Sequence, residues 1–139
     1  MGVAKQVVAV AVVVVEAQKL LALRRSKKKD AGAGLWEVVS GRVRDGEDPL
    51  AAAIRETREE TGLEVQIVER PVDCYAAKRG EDPMTVIVYA ALLAGGQFQR
   101  SAEHDDHRWT NLAGFESLSA PPRLVDAARR AMAVLERPT

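Results

Sequence analysis

The chain has 139 residues, of which 47% are hydrophobic and 29% are charged, a composition typical of one globular domain. Its 20 basic side chains balance 20 acidic ones, so no global field favours a nucleic acid or an anionic membrane as partner. We therefore expect a single domain over residues 1–139. The only cysteine, Cys74, cannot form an internal disulfide, and no signal-like segment is evident, so we expect a cytoplasmic location.

The first third of the chain predicts two strands and a loop. Residues 5–15 are dense in valine without strict alternation, as in a central strand covered on both faces, and the apolar run is too short to cross a bilayer. Residues 20–25 predict a second strand that ends in two arginines. Residues 26–34 form a polar, glycine-rich loop, whose lysines at 27–29 are expected to be solvated rather than to steer an anionic substrate.

A helix with clear ends follows a short strand at residues 35–39. Asp48 is a good N-cap, Pro49 suits the first helical position, and Gly62 stands where a left-handed residue ends the helix. Residues 49–61 are therefore expected to be helical.

The rest of the chain predicts more strands and a final helix. Residues 63–68, 72–77 and 84–94 are strand-like, and we interpret residues 64–94 as a hairpin within a mixed sheet. A helical turn is expected at residues 114–118. The final helix begins at Pro121-Pro122 and carries an apolar stripe made of Leu124, Val125, Ala128, Met132 and Leu135.

Three acidic residues crowd the C-terminal half of the first helix. Glu56, Glu59 and Glu60 lie where the helix dipole disfavours anions, so helix stability explains them poorly. A solvated charged face is the simpler interpretation of such a pattern. Grouped carboxylates on a rigid element are also what hard divalent cations require, Mg²⁺ above all, and this second interpretation is favoured here.

The charged and glycine positions of residues 41–63, called the box below, have a recognisable spacing. They are Gly41, Glu47, Arg55-Glu56, Glu59-Glu60 and Gly62-Leu63, and their spacing resembles the signature of the Nudix hydrolases. One position departs from it, because Thr57 stands where a bulky aliphatic residue is usual. The resemblance implies an α/β/α sandwich, with a mixed β-sheet between the box helix and the C-terminal helix.

The resemblance also implies a metal site. It assigns Mg²⁺ or Mn²⁺ to Glu56, Glu59 and Glu60, with the Ser40 carbonyl and Glu103 as further ligands. The loop that carries Glu103 is informative because an acidic residue about six positions before a tryptophan often serves as a metal ligand or as the base in this family.

Other residues of that loop have smaller expected roles. Asp105 and Asp106 are the reserve acids, and His104 and His107 are assigned no metal, because two histidines without a thiolate or a helical spacing are weak evidence for one.

Further roles follow from the same resemblance. Arg55 is expected to orient Glu59, and the general base is either Glu56 or Glu103, of which Glu56 is preferred. Gly41, Glu47 and Gly62 are expected to support the geometry of the box. Arg24 or Arg25 would bind substrate phosphate at the end of its strand, although a surface salt bridge is an equal alternative.

The function implied is that of a metal-dependent pyrophosphohydrolase. Its partner would be a small nucleotide or a related diphosphate, such as a nucleoside triphosphate or a nucleotide sugar, and the approach to the box slightly resembles the dihydroneopterin triphosphate branch. The alternatives are a regulatory domain that binds nucleotide without catalysis and an isomerase on the same fold, for which Cys74 offers no clear catalytic pair. A homodimer is compatible with the sequence.

Overall fold

The computed structural model describes residues 5–27 and 32–136, so of the lysines at 27–29 only Lys27 lies within the described residues. Within these ranges eight strands and three helices follow one another. They are β1 (Val7–Glu16), β2 (Lys19–Arg25), β3 (Trp36–Glu37), β4 (Val39–Arg42), α1 (Pro49–Thr61), β5 (Leu63–Ile67), β6 (Asp73–Arg79), β7 (Asp82–Gly96), β8 (His104–Thr110), α2 (Leu112–Ser117) and α3 (Pro122–Leu135).

All the described strands belong to one mixed sheet, in which β1 is central as predicted. The order is β3-β2-β1-β7-β5, with β4 paired to β1, β6 to β7 and β8 to β2. β1 and β7 run parallel, whereas the other pairs are antiparallel. The parallel pair therefore forms the middle of the sheet.

Side chains of β1 alternate between two hydrophobic clusters, one on each face of the sheet. Ala11, Val13 and Val15 pack with residues of α3, such as Ala128 and Ala131. Val10, Val12 and Val14 pack with Ala52 and Ala53 of α1. Because both faces are covered, the strand is apolar at nearly every position. The predicted sandwich of a mixed sheet between the box helix and the C-terminal helix is confirmed.

Two details differ from the expected strands, and strand pairing explains both. Residues 35–39 do not form one strand, because β3 pairs with β2 whereas β4 pairs with β1, and the partner changes at Val38. The predicted hairpin at 64–94 is limited to β6 and β7. β5 pairs with the far end of β7, which has 15 residues and so has room for both neighbours.

The C-terminal helices follow their sequence signals. The side chain of Asn111 caps α2 by accepting a hydrogen bond from the Gly114 N–H at 2.8 Å, and α3 begins at Pro122. The predicted stripe of α3 is buried except for Leu135, which is partly exposed. No helix in residues 5–27 and 32–136 is long and apolar enough to span a membrane.

The burial of β2 predicts a large stability loss on truncation of its side chains. Leu21 is 1% exposed, so Leu21→Ala is expected to lower the free energy of unfolding by about 2–5 kcal/mol through lost burial and a residual cavity. The matched control is Leu92→Ala, since Leu92 is 44% exposed, and its expected loss is below about 1 kcal/mol. Urea unfolding followed by circular dichroism measures both. Equal losses would contradict the placement of β2 in the core.

Candidate active site

Helix α1 begins and ends at its predicted caps. The Asp48 side chain accepts a hydrogen bond from the Leu50 N–H at 2.9 Å, and Gly62 has a left-handed φ of 71°. Thr57, the one unusual residue of the box, is fully buried, and its hydroxyl donates to the Ala53 carbonyl at 2.8 Å. Because that hydroxyl is satisfied within the helix, threonine fits the packing face of α1.

Arg55 holds the box together through five hydrogen bonds. Its Nε and Nη2 donate to the two oxygens of Glu47, each at 2.9 Å. Its Nη1 donates to Glu56 at 2.8 Å and to Glu59 at 3.2 Å, and Nη2 also donates to the Arg42 carbonyl at 3.0 Å. The arginine expected to orient Glu59 therefore contacts Glu56 and Glu47 as well.

The carboxylate of Glu47 is strongly stabilised in its charged form. Hydrogen bonds from Arg55, and then from the Arg44 backbone N–H at 3.0 Å, lower the pKa of Glu47 from 4.5 to about 2. The loop that precedes α1 is thus tied to the helix by a bidentate ion pair, which has a more restrictive geometry than a single contact.

Gly41 on β4 lets the helix approach the sheet. A Cβ atom added at Gly41 would lie 2.1 Å from Cδ of Glu56 and 2.4 Å from both of its carboxylate oxygens. No side chain larger than hydrogen fits without moving that carboxylate. The first glycine of the box therefore makes room for the Glu56 side chain against the strand.

Glu60 is a buried acid in a negatively charged neighbourhood. It is 2% exposed, its Oε2 has no hydrogen-bond partner among the described residues, and the Ser40 N–H approaches its Oε1 only at 3.5 Å. Burial raises the pKa of Glu60 to about 10, and the negative charges of Glu37, Glu56 and Glu103 add to the shift. The protein alone does not compensate this carboxylate.

The donor set fits a hard divalent cation. Carboxylate oxygens and a backbone carbonyl are the ligands that Mg²⁺ and Mn²⁺ prefer, and a dication would satisfy the free Glu60 oxygen and offset the repulsion around it. Within residues 5–27 and 32–136, however, no three acidic, imidazole or thiol side chains are already gathered as a ready-made metal cluster. Arg55 instead draws Glu56 and Glu59 toward itself.

A cavity of about 660 Å³ lies beside these groups. Its lining combines charged residues such as Arg25, Glu56 and Glu103 with less polar ones such as Tyr75 and Leu124. A volume of this size is within the usual range for small-molecule sites. Ser40, Gly41, Arg55 and Glu59 also line it, whereas Glu60 lies behind the wall.

The two arginines at the end of β2 are placed differently. Arg25 lines the cavity, and its Nη1 lies 3.2 Å from Glu37. Arg24 is bonded through Nε to Asp105 at 2.6 Å and lies over the ring of Trp36, which lines the cavity, but Arg24 is not itself a lining residue. The structure therefore brings Arg25 to the candidate site and places Arg24 in the alternative salt bridge.

The acids of the late loop are also separated. Glu103 lines the cavity, while Asp105 is engaged by Arg24 and Asp106 accepts a hydrogen bond from the His107 N–H at 2.8 Å. Of the three acids considered from the sequence, only Glu103 belongs to the cavity lining.

Sequence analysis missed two residues of this site, Glu37 and His104. One sequence feature could have indicated Glu37 as a site residue, since it is an acid between two apolar residues, Trp36 and Val38. Both of these neighbours are buried in the structure. His104 was considered only as a metal ligand. Its contact with Glu37, 2.8 Å from Nε2 to Oε2, joins residues 67 positions apart and depends on strand pairing.

The close approach at Gly41 predicts a specific effect of an added methyl group. Gly41→Ala is expected to displace the Glu56 carboxylate and to weaken Mn²⁺ binding by about 10- to 100-fold. Titration monitored by electron paramagnetic resonance measures the affinity. Gly95→Ala is the control, since a Cβ there meets no atom within 4 Å, and wild-type affinity is expected. Unchanged affinity in Gly41→Ala would contradict the role of this glycine.

The low pKa of Glu47 predicts a pH-dependent contribution to stability. Its folded-state pKa of about 2 is below the ordinary 4.5, so the stabilisation is present above pH 4.5 and is lost as the pH falls toward 2. Glu47→Gln is therefore expected to be less stable than the wild type at pH 7, with a difference that shrinks between about pH 5 and pH 2. Urea unfolding across this range measures it. Glu69→Gln, at an exposed position, serves as control, and a pH-independent difference for Glu47→Gln would contradict the assignment.

Several known proteins are similar to this chain in sequence or in fold. Bis(5'-nucleosyl)-tetraphosphatase [asymmetrical] of Mus musculus is 38% identical over 84 residues, 55% of this chain and 56% of that protein. Isopentenyl-diphosphate Delta-isomerase of Citrobacter koseri is 34% identical over 112 residues, 75% of this chain and 61% of that protein. The chain thus spans less than two thirds of the length of these curated relatives.

A solved structure and a family model extend the comparison. The MutT protein from Methanosarcina mazei Go1 superimposes with a TM-score of 0.80 at 22% identity, over 96% of this chain and 98% of that one, which shows the fold. The family model for the NUDIX domain matches residues 5–135. Since this match covers nearly the whole sequence, the chain belongs to the NUDIX domain family.

Proposed function

We propose that this protein is a divalent-metal-dependent pyrophosphohydrolase that cleaves a diphosphate linkage in a nucleotide or a related small molecule. The observation that carries the proposal is the buried Glu60 carboxylate, next to a cavity of about 660 Å³. One of its oxygens has no partner within residues 5–27 and 32–136, and carboxylates from three other residues lie around it. A buried acid with acidic neighbours is costly for the protein alone and useful for holding a cation against a phosphorylated substrate.

The proposed ligands of Mg²⁺ or Mn²⁺ are the carboxylates of Glu56, Glu59, Glu60 and Glu103 and the carbonyl of Ser40. A bound divalent cation would neutralise the diphosphate oxygens and lower the pKa of a coordinated water. The chain supplies rigid supports for these ligands, since three of them lie on one helix and Ser40 lies on β4. The precision of such sites depends on this rigidity.

Arg55 and Arg25 have separate proposed tasks. Arg55 hydrogen-bonds the carboxylates of Glu56 and Glu59 at 2.8 and 3.2 Å, which limits the orientations that they adopt before a cation binds. Arg25, on the cavity wall beside Glu37, is the proposed phosphate-binding residue. A guanidinium has five N–H donors, and its planar fork matches the geometry of a phosphate group.

Glu56 is the proposed general base. Its carboxylate lines the cavity, is hydrogen-bonded by Arg55 and packs against Gly41, three features that restrict its position. Glu103 is the alternative base, and it lies on the more exposed loop before β8. A base must be held within hydrogen-bond reach of the water that it activates, which favours the more constrained acid.

The cavity supports a substrate with both a phosphate chain and an apolar or aromatic group. Its charged lining residues would contact the phosphates, and Tyr75, Met84 and Leu124 would contact the other group. The name of the mouse relative, a bis(5'-nucleosyl)-tetraphosphatase, agrees with a substrate of this kind.

An isomerase is the second candidate, because the Citrobacter koseri relative carries that name and matches 75% of this chain. The position of Cys74 speaks against a cysteine-dependent isomerase: this cysteine is exposed on β6 and does not line the cavity. A regulatory domain that lacks catalysis is disfavoured by the complete set of box acids.

A panel of nucleoside triphosphates, nucleotide sugars and dinucleoside polyphosphates tests the proposal. We expect phosphate-bond cleavage of at least one compound with Mg²⁺ or Mn²⁺ and its loss with chelator, measured by chromatography of the products. Isopentenyl diphosphate is included to detect isomerisation without cleavage. Absence of metal-dependent cleavage across the panel would contradict the proposed hydrolase.

The base assignment predicts a large effect of a single isosteric change. Glu56→Gln is expected to lower kcat by about 10²- to 10⁴-fold on the substrate found in the panel. Glu69→Gln, an exposed acid outside the cavity, is expected to retain the wild-type rate. Normal turnover of Glu56→Gln would contradict the assignment of Glu56 as the general base and would favour Glu103. Glu103→Gln tests this alternative in the same assay.

A further inference from the structure

The imidazole of His104 is buried against two carboxylates of the candidate site. The residue is 4% exposed, and its Nε2 lies 2.8 Å from Oε2 of Glu37 and 3.9 Å from Oε1 of Glu60. Its other ring nitrogen, Nδ1, has no hydrogen-bond partner among the described residues. The polar contacts of the ring are therefore concentrated on the Nε2 side, where both carboxylates lie.

Strand pairing fixes the position of this ring. His104 is the first residue of β8, is paired with Arg25 of β2, and directly follows Glu103. Its backbone N–H donates to the Ser101 carbonyl at 3.3 Å. The loop that carries Glu103 thus joins the sheet at the histidine, so the position of His104 also limits where Glu103 can lie.

Glu37 connects the histidine to the carbonyl donor of the site. Its Oε1 accepts a hydrogen bond from the Ser40 hydroxyl at 3.1 Å, and Arg25 lies 3.2 Å from Oε2. The Glu37 side chain already accepts hydrogen bonds from Arg25 and Ser40, and in the tautomer that carries hydrogen on Nε2, His104 donates another to it. A single chain of contacts therefore runs from β8 through Glu37 to the backbone segment at Ser40.

We propose that His104 is a positioning residue that, through Nε2, fixes the Glu37 carboxylate beside Ser40 and Glu60 and thereby sets the affinity of the site for a divalent cation. The inference rests on the proposed function, because it concerns the same metal site. Nε2 is already engaged by Glu37, so the histidine acts through the Glu37 carboxylate and is not itself a ligand. Outer residues of this kind control metal affinity by orienting the ligands.

Two substitutions separate hydrogen bonding from packing. His104→Leu has a similar size and fills the buried space but removes the donor. His104→Gln carries an amide N–H at the distance of Nε2 and retains it. The control is His107→Leu, which changes the same residue type on the same strand, where the ring stacks on Phe98 at 4.1 Å instead of touching the acids.

The readout is Mn²⁺ affinity of the full chain without substrate, measured by electron paramagnetic resonance. We expect His104→Leu to bind Mn²⁺ about 10- to 100-fold more weakly than the wild type. His104→Gln and His107→Leu are expected to remain close to wild type. Under assay, saturating Mn²⁺ should restore much of the kcat of His104→Leu, a rescue that a packing defect would not show.

The outcomes distinguish this inference from the proposed function. A wild-type protein that binds no Mn²⁺ would overturn the proposed metal site itself. Wild-type binding with unchanged affinity in a folded His104→Leu would overturn only the role of His104, as would equal weakening in the leucine and glutamine variants. If His104→Leu does not fold, His104→Asn replaces it. The shorter asparagine amide lies near the position of Nδ1 and does not reach Glu37. A Mn²⁺ affinity of His104→Asn equal to that of His104→Gln would contradict the inference.

Discussion

Electrostatic repulsion among neighbouring acidic side chains opposes the packing of α1 against the sheet. Glu56, Glu59 and Glu60 lie on one face of α1, and Glu37 and Glu103 approach the same region from the sheet and a loop. Like charges at such short range oppose folding unless donors or cations compensate them. Arg55 engages the outer carboxylates of α1, whereas one oxygen of the inner Glu60 carboxylate has no partner in the described part of the chain.

The sheet provides the rigidity that this arrangement needs. β1 is buried on both faces, and it holds β4, with Ser40 and Gly41, in a fixed register beside α1. The absence of a side chain at Gly41 lets the Glu56 carboxylate lie against β4. α1 and β4 therefore contact each other at the Glu56 side chain. Substitutions in the core that shift either element are expected to move this acid.

The cavity combines two chemical environments that suit different parts of one ligand. Its charged lining residues include Glu56, Glu59 and Arg25, and its less polar ones include Tyr75, on whose ring the guanidinium of Arg123 lies at 4.5 Å. Both residues of that pair line the cavity. A diphosphate joined to a larger group matches this division, which is the physical basis for the class of substrate proposed above.

Residue patterns within short stretches of the sequence were enough to predict several helices and strands. The caps at Asp48 and Gly62 defined α1, the valine-rich run defined the central strand, and the apolar stripe defined α3, because each signal depends on residues close together in the chain. The box acids were found in the same way, since one helical face gathers residues three and four positions apart.

Contacts between distant segments of the chain could not be predicted from such patterns and became visible in the folded structure. Three features of the site depend on which strands pair and in what register. They are the position of Arg25 rather than Arg24 on the cavity wall, the change of partner between β3 and β4, and the contact of His104 with Glu37. A shift of one residue in a strand exchanges its two faces, and the sequence of a single strand does not specify its neighbour. The long-range pairing of β2 with β8 therefore assembled the part of the site that local patterns did not reveal.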